Sequence, residues 1–289
     1  MHIGIHGKEF GSDTKGFIRD VLARAGKNNE IVISDSFRKH LTSGGIDPSQ
    51  YPEYGPDKID SLNIIMTLGG DGTLLEAVTQ VGNRGIPILG VNTGRLGFLA
   101  TTAKEEFKLA FDHLEAGEYT YDDRTLLSLD ADPPLFNGLN FALNDIAILK
   151  KDTSSMITVH AYINGEFLNS YWADGIIIST PTGSTGYSIS CGGPVVVPGS
   201  DNFVITPVSP HNLTVRPIVV PDDSELSFTI EGRSKNFLIA LDARYETVDD
   251  SVRLKVTQAK FRARLIKLEG NNYFKTLRQK LNWGLDVRN

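Results

Sequence analysis

The segment Thr-Leu-Gly-Gly-Asp-Gly-Thr, residues 67–73, most constrains how this 289-residue chain folds. It follows the apolar run 62–66 and precedes another that begins at Leu74, so the pattern predicts a strand, a glycine loop and a helix. The glycines allow a tight turn and the close approach of a ligand, and the amides that open a helix attract phosphate. An aspartate beside phosphate is unfavourable unless it acts as a base on an attacking hydroxyl or holds Mg²⁺. Asp71 therefore favours a phosphotransferase over an ordinary strand-to-helix turn.

Strands and helices alternate through the first hundred residues. We predict strands at residues 3–6, 30–34, around 64 and at 86–92, and helices at 17–25, at 35–41 and after the glycine loop. A polar, turn-rich loop covers residues 42–58, and a further helix is expected near residues 103–114. This alternation predicts an α/β domain with a parallel sheet flanked by helices.

Short β-type runs dominate from about residue 119 to residue 268. Examples lie at residues 157–163, 175–179, 226–230, 237–240 and 252–256, and this spacing indicates a sandwich or a barrel. A last amphipathic helix, residues 274–281, carries Phe274, Leu277 and Leu281 on one face. We predict an α/β domain at 1–102, a β-rich, sandwich-like domain at 103–268, and a helix and tail at 269–289 that return to the first domain.

Composition limits the partners and the location. Acidic residues outnumber basic ones by 35 to 29, which argues against nucleic acid or an anionic membrane as the main partner. Cys191 is the only cysteine, which excludes an intrachain disulfide and a cysteine zinc cluster. No apolar run approaches the roughly 20 residues that cross a bilayer, and the opening apolar segment is short for a signal peptide. We expect a cytoplasmic protein that has no membrane partner.

A second group of polar residues occupies positions 174–194. The apolar run 176–178 leads into a loop that is crowded with hydroxyl groups. These belong to Ser179, Thr180, Thr182, Ser184, Thr185, Tyr187, Ser188 and Ser190. They suit a sugar and phosphate ligand, with Tyr187 able to stack on a flat ring; the alternative is a Ser/Thr-rich surface turn. Neither loop has the P-loop lysine or a Gly-x-Gly-x-x-Gly motif, so the pattern alone does not indicate a dinucleotide.

Together, the two loops resemble those of the NAD kinase family, whose members phosphorylate NAD to NADP. Similar segments occur in the same order at residues 90–99, 143–145, 209–213, 216–217 and 281–284, so the resemblance covers nearly the whole chain. The glycine loop is shared with diacylglycerol kinases, sphingosine kinases and 6-phosphofructokinases, whereas residues 180–187 are more selective. The resemblance implies transfer of the ATP γ-phosphoryl group to the 2′-hydroxyl of the adenosine ribose of NAD. It also implies Mg²⁺ or another divalent cation with ATP, and a homodimer or homotetramer.

The resemblance assigns roles to individual residues. Asp71 would deprotonate the 2′-hydroxyl, and Gly70, Gly72 and Thr73 would shape the loop near the transferred phosphoryl group. The implied nucleotide-binding residues are Asn144, Asp145, Asp174, Thr182, Thr185, Gly186, Tyr187, Ser188 and Ser190.

Several positions depart from the family pattern or allow two interpretations. Asp145 stands where the family usually has glutamate, one methylene longer. Asp-Gly-Gln is common in the family where Leu241-Asp242-Ala243-Arg244 stands here, and Arg244 either reaches a phosphate or pairs with an acidic neighbour. Trp172 occupies a variable position close to the ligand, where it bears on the choice between NAD and NADH. Arg95 either contacts phosphate or forms a surface ion pair, and His211 is expected to be a turn or core histidine rather than a ligand.

Two other functions remain open at this point. One is a lipid or other small-alcohol kinase of the same superfamily, which residues 180–187 and the lack of a basic amphipathic membrane face disfavour. The other is a catalytically silent NAD(H)-binding regulator, which Asp71 disfavours because a sensor needs no base. The sequence leaves open ATP or polyphosphate as donor, and NAD or NADH as acceptor.

Overall fold

The chain forms two compact units. The computed structural model describes residues 1–151, 155–233, 235–270 and 272–283. Unit 1 comprises residues 1–123 and 264–289, and unit 2 comprises residues 124–263.

Unit 1 begins with alternating strands and helices. Its elements are β1 (His2–Gly7), α1 (Ser12–Asn28), β2 (Glu30–Ser34), α2 (Asp35–Ser43), β3 (Glu53–Tyr54), β4 (Ile64–Leu68), α3 (Asp71–Val81), β5 (Ile88–Asn92), β6 (Thr102–Ala103) and α4 (Phe107–Ala116). Single turns of 3-10 helix lie at Ile59–Ser61, Gly82–Arg84 and Lys104–Glu106. Every strand pair that the structure describes among β1–β6 is parallel, in the order β5-β4-β1-β2-β3 with β6 beside β5. The predicted parallel α/β sheet is therefore confirmed.

The rest of the chain is mostly β-structure. Its elements are β7 (Tyr119–Asp132), β8 (Phe141–Ala142), β9 (Asp145–Lys150), β10 (Ile157–Ile163), β11 (Glu166–Ala173), β12 (Gly175–Ser179), α5 (Tyr187–Ser190), β13 (Asn202–Val208), β14 (Ile218–Pro221), β15 (Leu226–Gly232), β16 (Phe237–Leu241), β17 (Arg244–Val248), β18 (Arg253–Leu268) and α6 (Tyr273–Leu281). Single 3-10 turns occupy Phe136–Gly138 and Thr182–Thr185.

Unit 2 is built on two antiparallel sheets. One follows the order β11-β10-β15-β18, and the other follows β14-β13-β12-β9-β16-β17. Val159 and Phe228 from the first sheet share one buried core with Ile148 and Ile178 from the second. This shared core confirms the predicted β-rich, sandwich-like domain.

The first unit boundary falls later than the predicted one because of α4. Phe107 and Phe111 of this helix pack in the same buried cluster as Ile3 and Ile5 of β1. Burial of these apolar side chains holds α4 to the α/β sheet, so unit 1 extends to residue 123 rather than 102. The last part of β18 also belongs to unit 1, where Leu265 pairs with Ile88 of β5 in parallel.

The last helix, α6, buries a different face from the predicted one. Leu277 and Thr276 are buried, whereas Phe274 and Leu281 are 51% and 38% exposed. The Tyr273 ring at its start lies 6.4 Å from the ring of Phe98. Gly284 and the rest of the predicted tail lie outside the described residues. Among the residues described, no helix has both the length and the apolar character needed to span a bilayer.

Candidate active site

The glycine loop in unit 1 joins a fully buried strand to a helix. All of β4 is buried, and α3 begins at Asp71 with Gly70 as its N-cap residue in an extended conformation. A Cβ atom at position 69 would lie 2.1 Å from Thr73 Oγ1, so the packing of the buried Thr73 requires Gly69. A Cβ at position 70 would have no neighbour within 4 Å, and one at position 72 would meet only the Lys8 Nζ atom, at 3.9 Å. Protein packing therefore does not explain Gly70 and Gly72, and their open sides leave room for a ligand.

The Asp71 carboxylate is held by three consecutive backbone amides. The Phe98 amide donates to Oδ2 at 2.8 Å, and the amides of Leu99 and Ala100 donate to Oδ1 at 3.0 Å each. A carboxylate has about four acceptor positions, so one position on Oδ2 is left for a further donor such as a hydroxyl. Gly97 is required here, because its Cβ would lie 1.9 Å from Asp71 Oδ1. Asp71 thus combines a fixed orientation with one open acceptor position.

Arg95 lies in the same loop as the amides that bind Asp71. Its backbone carbonyl accepts a hydrogen bond from Asn92 Nδ2 at 2.8 Å, and Asn92 Oδ1 accepts one from the Gly94 amide. Its exposed guanidinium has no ion-pair partner in the part of the chain that the structure describes. The surface ion pair is therefore not observed.

Lys8 is a cation near the glycine loop that the sequence analysis did not identify. Its ammonium group lies 2.7 Å from Glu76 Oε1, and Glu76 Oε2 lies 3.3 Å from Nε2 of the buried His6. The hydrogen bond from His6 and the charge of Lys8 lower the pKa of Glu76. Lys8 follows β1 directly, and a basic residue at the carboxyl end of a parallel strand was the signal that could have identified it.

The Asn144–Asp145 pair in unit 2 is fixed from one side by Asp242. Asp242 Oδ2 accepts the Leu143 amide at 2.8 Å, and Oδ1 accepts the amides of Asn144 and Asp145 at 2.7 and 3.2 Å. The Asp242 amide in turn donates to the Asp145 carbonyl at 3.0 Å. Asp242 was not among the predicted site residues; its segment was noted as a departure from a family motif, but its contact with residues about a hundred positions earlier was not predicted.

The same backbone is fixed from the other side by residues of the hydroxyl-rich loop. Thr180 donates its amide to the Asn144 carbonyl at 2.9 Å and its hydroxyl to the Leu143 carbonyl at 2.6 Å. A Cβ at Gly183 would lie 1.9 Å from the Asn144 carbonyl oxygen, so only glycine permits this approach.

Asp145 is a buried acidic group with a raised pKa. It is 8% exposed, and no donor in the described part of the chain hydrogen-bonds to its carboxylate. Burial and then the charge of Asp242 raise its pKa to about 7. Burial raises the pKa of Asp242, although its three amide donors and then the nearby charge of Arg244 act to lower it. A buried carboxyl group without donors is suited to hydrogen bonding with a ligand hydroxyl.

The hydroxyl groups of residues 179–190 divide into two sets. The buried ones hold the loop: Ser188 bonds to Thr206, Thr182 accepts from Arg124, and Ser184 donates to the Pro181 carbonyl. Tyr187 and Ser190 are exposed, and Thr185 and Gly186 are partly exposed. The structure therefore makes these four accessible to a ligand, whereas Thr182 and Ser188 are engaged within the protein.

Trp172 lies near the end of β11, Asp174 lies between β11 and β12, and His211 follows β13. Asp174 forms an ion pair with Lys150, with 2.5 Å between Oδ1 and Nζ. The Trp172 ring, half exposed, stacks on the His211 ring with 4.2 Å between their centroids. His211 lies in an exposed bend, so its assignment to a turn fits and a core position does not.

Arg244 is engaged by the protein backbone. Its guanidinium donates to the carbonyls of Leu139 and Phe141, and it lies over the rings of Phe136 and Phe141. Burial lowers its pKa, and the charge of Asp242 opposes that shift. The structure thus shows two carbonyl partners for a side chain that the sequence analysis assigned to a phosphate or a carboxylate.

Both halves of the chain match a known family. Residues 27–119 match the ATP-NAD kinase N-terminal domain, and residues 143–268 match the ATP-NAD kinase C-terminal domain. The NAD kinase of Cytophaga hutchinsonii is 50% identical over 292 residues, covering 100% of both chains. That of Flavobacterium johnsoniae is 44% identical over 294 residues, again covering 100% of both.

Solved structures share this fold. Yeast NADH kinase complexed with NADH superposes with a TM-score of 0.87 at 22% identity, covering 99% of this chain and 88% of that one. The NAD kinase from Archaeoglobus fulgidus in complex with ATP gives a TM-score of 0.76 at 25% identity, covering 98% and 99%. These matches favour the NAD kinase family over the lipid-kinase alternative. With full-length identity of up to 50% and family matches in both halves, the chain belongs to the NAD kinase family.

Proposed function

We propose that this protein transfers the γ-phosphoryl group of ATP to the 2′-hydroxyl of the adenosine ribose of NAD, which yields NADP. The observation that carries the proposal is the Asp71 carboxylate, fixed by three amides at the start of α3 with one acceptor position open. Membership of the NAD kinase family selects the substrates, and the relatives named above carry that activity in their names.

Asp71 acts as the general base. A ribose hydroxyl is a weak nucleophile until a carboxylate accepts its proton, and such a base contributes roughly 10²–10⁴ in rate. The three amides restrict the carboxylate to one orientation. The free acceptor position on Oδ2 is therefore already in place, and the side chain loses no rotamer entropy in the reaction.

The donor phosphates bind at the start of α3. The open sides of Gly70 and Gly72 admit phosphate oxygens to the backbone, and the positive end of the helix dipole favours their charge. Lys8, close to Gly72, and Arg95, which has no ion-pair partner among the described residues, supply positive charge to a protein whose net charge is −6. The phosphoryl group in transfer is thus stabilised by amides and cations rather than by covalent chemistry.

The NAD molecule is held by unit 2. Asn144 and Asp145 present an amide and a carboxyl group to ribose hydroxyls. Among the described residues, no protein donor hydrogen-bonds to the Asp145 carboxyl group. Tyr187 offers an exposed ring for stacking, and Thr185 and Ser190 offer accessible hydroxyls. Asp174 and Trp172 complete the set of nucleotide-binding residues in this proposal.

A divalent cation accompanies ATP in this proposal. No three His, Cys, Asp or Glu side chains of the described residues come together as a cation site, so the ligands that fit are the phosphate oxygens of ATP itself. When bound there, Mg²⁺ neutralises charge on the donor phosphates.

The deciding experiment measures NADP formation from NAD, ATP and Mg²⁺ with an NADP-specific dehydrogenase. Asp71→Asn is expected to lower kcat by about 10²–10⁴ while NAD binding, measured by calorimetry, stays within a few-fold. Asp60→Asn is the matched control, because Asp60 is an exposed carboxylate of the same unit that pairs only with Arg84 in the described structure. Near-normal turnover by Asp71→Asn would refute its role as the base.

The amide contacts of Asp71 require a second readout. An Asn side chain cannot accept from all three amides, so a loss of activity could also reflect a displaced loop. Loss of a base also removes the acidic limb of the pH–rate profile, whereas a displaced loop lowers the rate at every pH. Loss of that acidic limb is the result expected for Asp71→Asn.

A second candidate is a catalytically silent NAD(H)-binding regulator. NAD binding without NADP formation would favour it, unless polyphosphate as donor or NADH as acceptor restores turnover. We also propose a homodimer or homotetramer in the cytoplasm, where NAD and ATP are both supplied; light scattering on the purified protein tests the assembly.

A further inference from the structure

We propose that Asp242 is a positioning residue for the reaction, one that fixes the backbone of Asn144 and Asp145 so that both side chains are set for NAD. The proposal rests on the function proposed above and adds a residue that does not itself touch the substrate.

The geometry around Asp242 is specific. Its carboxylate accepts three consecutive amides, those of residues 143, 144 and 145, at 2.8, 2.7 and 3.2 Å. Its own amide donates to the Asp145 carbonyl, so the two segments are joined in both directions. Asp242 lies in the turn between β16 and β17 with φ of +53°, a conformation that few non-glycine residues adopt. A residue kept in a strained conformation, with its carboxylate and its amide both engaged, is typical of a functional site.

The other side of the same backbone is also engaged. The carbonyls of Leu143 and Asn144 accept from Thr180, and Gly183 packs against the Asn144 carbonyl. Every peptide group from the amide of Leu143 to the carbonyl of Asp145 thus has a partner within unit 2. The side chains of Asn144 and Asp145 are what this segment leaves for a ligand.

A carboxylate suits this task better than any neutral side chain. Both of its oxygens accept hydrogen bonds, whereas an Asn side chain would turn an amino group toward one of the amides. Its charge has a further effect, because it is one of the two causes that raise the pKa of Asp145 to about 7. Burial raises the pKa of Asp242, and the nearby charge of Arg244, the first residue of β17, opposes that shift.

The experiment compares Asp242→Asn with a matched control. Glu246→Gln alters another carboxylate of the same strand pair, one that accepts a single amide, that of Phe136, at 2.9 Å. We expect Asp242→Asn to raise the Kd for NAD at least tenfold in calorimetry, with the KM for ATP changed less than threefold. Glu246→Gln is expected to leave both constants unchanged.

A mutant cycle separates positioning from general destabilisation. In an Asn144→Ala, Asp145→Ala background there are no side chains left for Asp242 to position, so Asp242→Asn is expected to change the NAD Kd less than threefold there. A change of the same factor in both backgrounds would overturn the proposal. If Asp242→Asn does not fold, Asp242→Glu enters the same cycle, because it keeps the charge and moves the accepting oxygens by one methylene.

The outcomes also distinguish this proposal from the proposed function. If the wild-type protein makes NADP and Asp242→Asn binds NAD normally, only the role of Asp242 is refuted. A wild-type protein that neither binds NAD nor makes NADP refutes the proposed function itself.

Discussion

The contact between the Asp71 carboxylate and the loop that contains Gly97 is tested most sharply by Gly97→Ala. The added Cβ would lie 1.9 Å from Asp71 Oδ1, 2.5 Å from its Cγ and 2.8 Å from Oδ2. A carbon and an oxygen without a bond between them settle at roughly 3.3 Å, so the carboxylate and the loop must separate by more than about 1 Å. The backbone at Gly97 does not have a positive φ, so alanine itself adopts this conformation without strain.

The cost follows from the hydrogen bonds that this separation breaks. The three amide bonds to Asp71 are 2.8–3.0 Å long, and a further ångström takes them beyond hydrogen-bonding range. Each bond to a charged group contributes about 1.5–3 kcal/mol. If one or two are lost, the free energy of unfolding falls by about 2–5 kcal/mol, which corresponds to a Tm lower by about 5–15 °C.

The assay is a thermal melt in parallel with NADP formation. Gly94→Ala is the control for stability, because a Cβ at position 94 in the same loop has no neighbour within 4 Å. We expect Gly97→Ala to lose stability as calculated and to lose at least 10² in kcat, since the base is displaced. A Gly97→Ala protein that melts within 2 °C of Gly94→Ala and keeps its activity would refute the described contact between Asp71 and the loop.

Three further predictions concern other groups of the site. Gly72→Ala is expected to keep or raise the Tm, because alanine favours a helix by up to about 1 kcal/mol, yet to lower kcat/KM at least tenfold if phosphate approaches that position. Asp145 has a pKa of about 7 in the folded protein against an ordinary value of 3.8, so the folded state binds more protons between these values and its stability falls as pH rises through that window. Chemical denaturation at pH 5 and pH 7.5 is expected to show a loss of about 2–3 kcal/mol from this group, absent in Asp145→Asn. Gly183→Ala places a Cβ 1.9 Å from the Asn144 carbonyl oxygen, and we expect about 2–4 kcal/mol of destabilisation in a thermal melt, with NAD binding lost in calorimetry.

Most strands and helices that form one continuous pattern of apolar and polar residues were predicted from the sequence. The strands at Glu30–Ser34, Ile157–Ile163 and Gly175–Ser179 have the predicted bounds, because each is an apolar or alternating run between turn residues. The strand predicted at residues 252–256 instead extends from Arg253 to Leu268. Its exposed side carries charged residues such as Lys255 and Lys260, which interrupt an apolar pattern without interrupting a strand.

The sequence predicted several residues of the site, but it did not predict the hydrogen bonds that hold them in place. Asp71 and the Asn144–Asp145 pair are in the motifs that drew attention to them. The amides that hold Asp71 come from residues 27–29 positions later, and Asp242 lies 97–99 positions after the amides that it binds. Such contacts depend on how distant segments meet, which no local periodicity encodes. The burial of Thr182 and Ser188 was missed for the same reason, since hydroxyl-rich loops are polar by composition whether or not they face solvent.

The discontinuous chain course of unit 1 has a consequence for biosynthesis. β6 covers the end of the β5 edge at Val91 and Asn92, but Ile88 on that edge pairs with Leu265, in a strand that the ribosome makes after all of unit 2. Until then β5 exposes unpaired amides and carbonyls there, and open strand edges promote association between nascent chains. A fragment that stops at residue 123 would keep that edge open permanently.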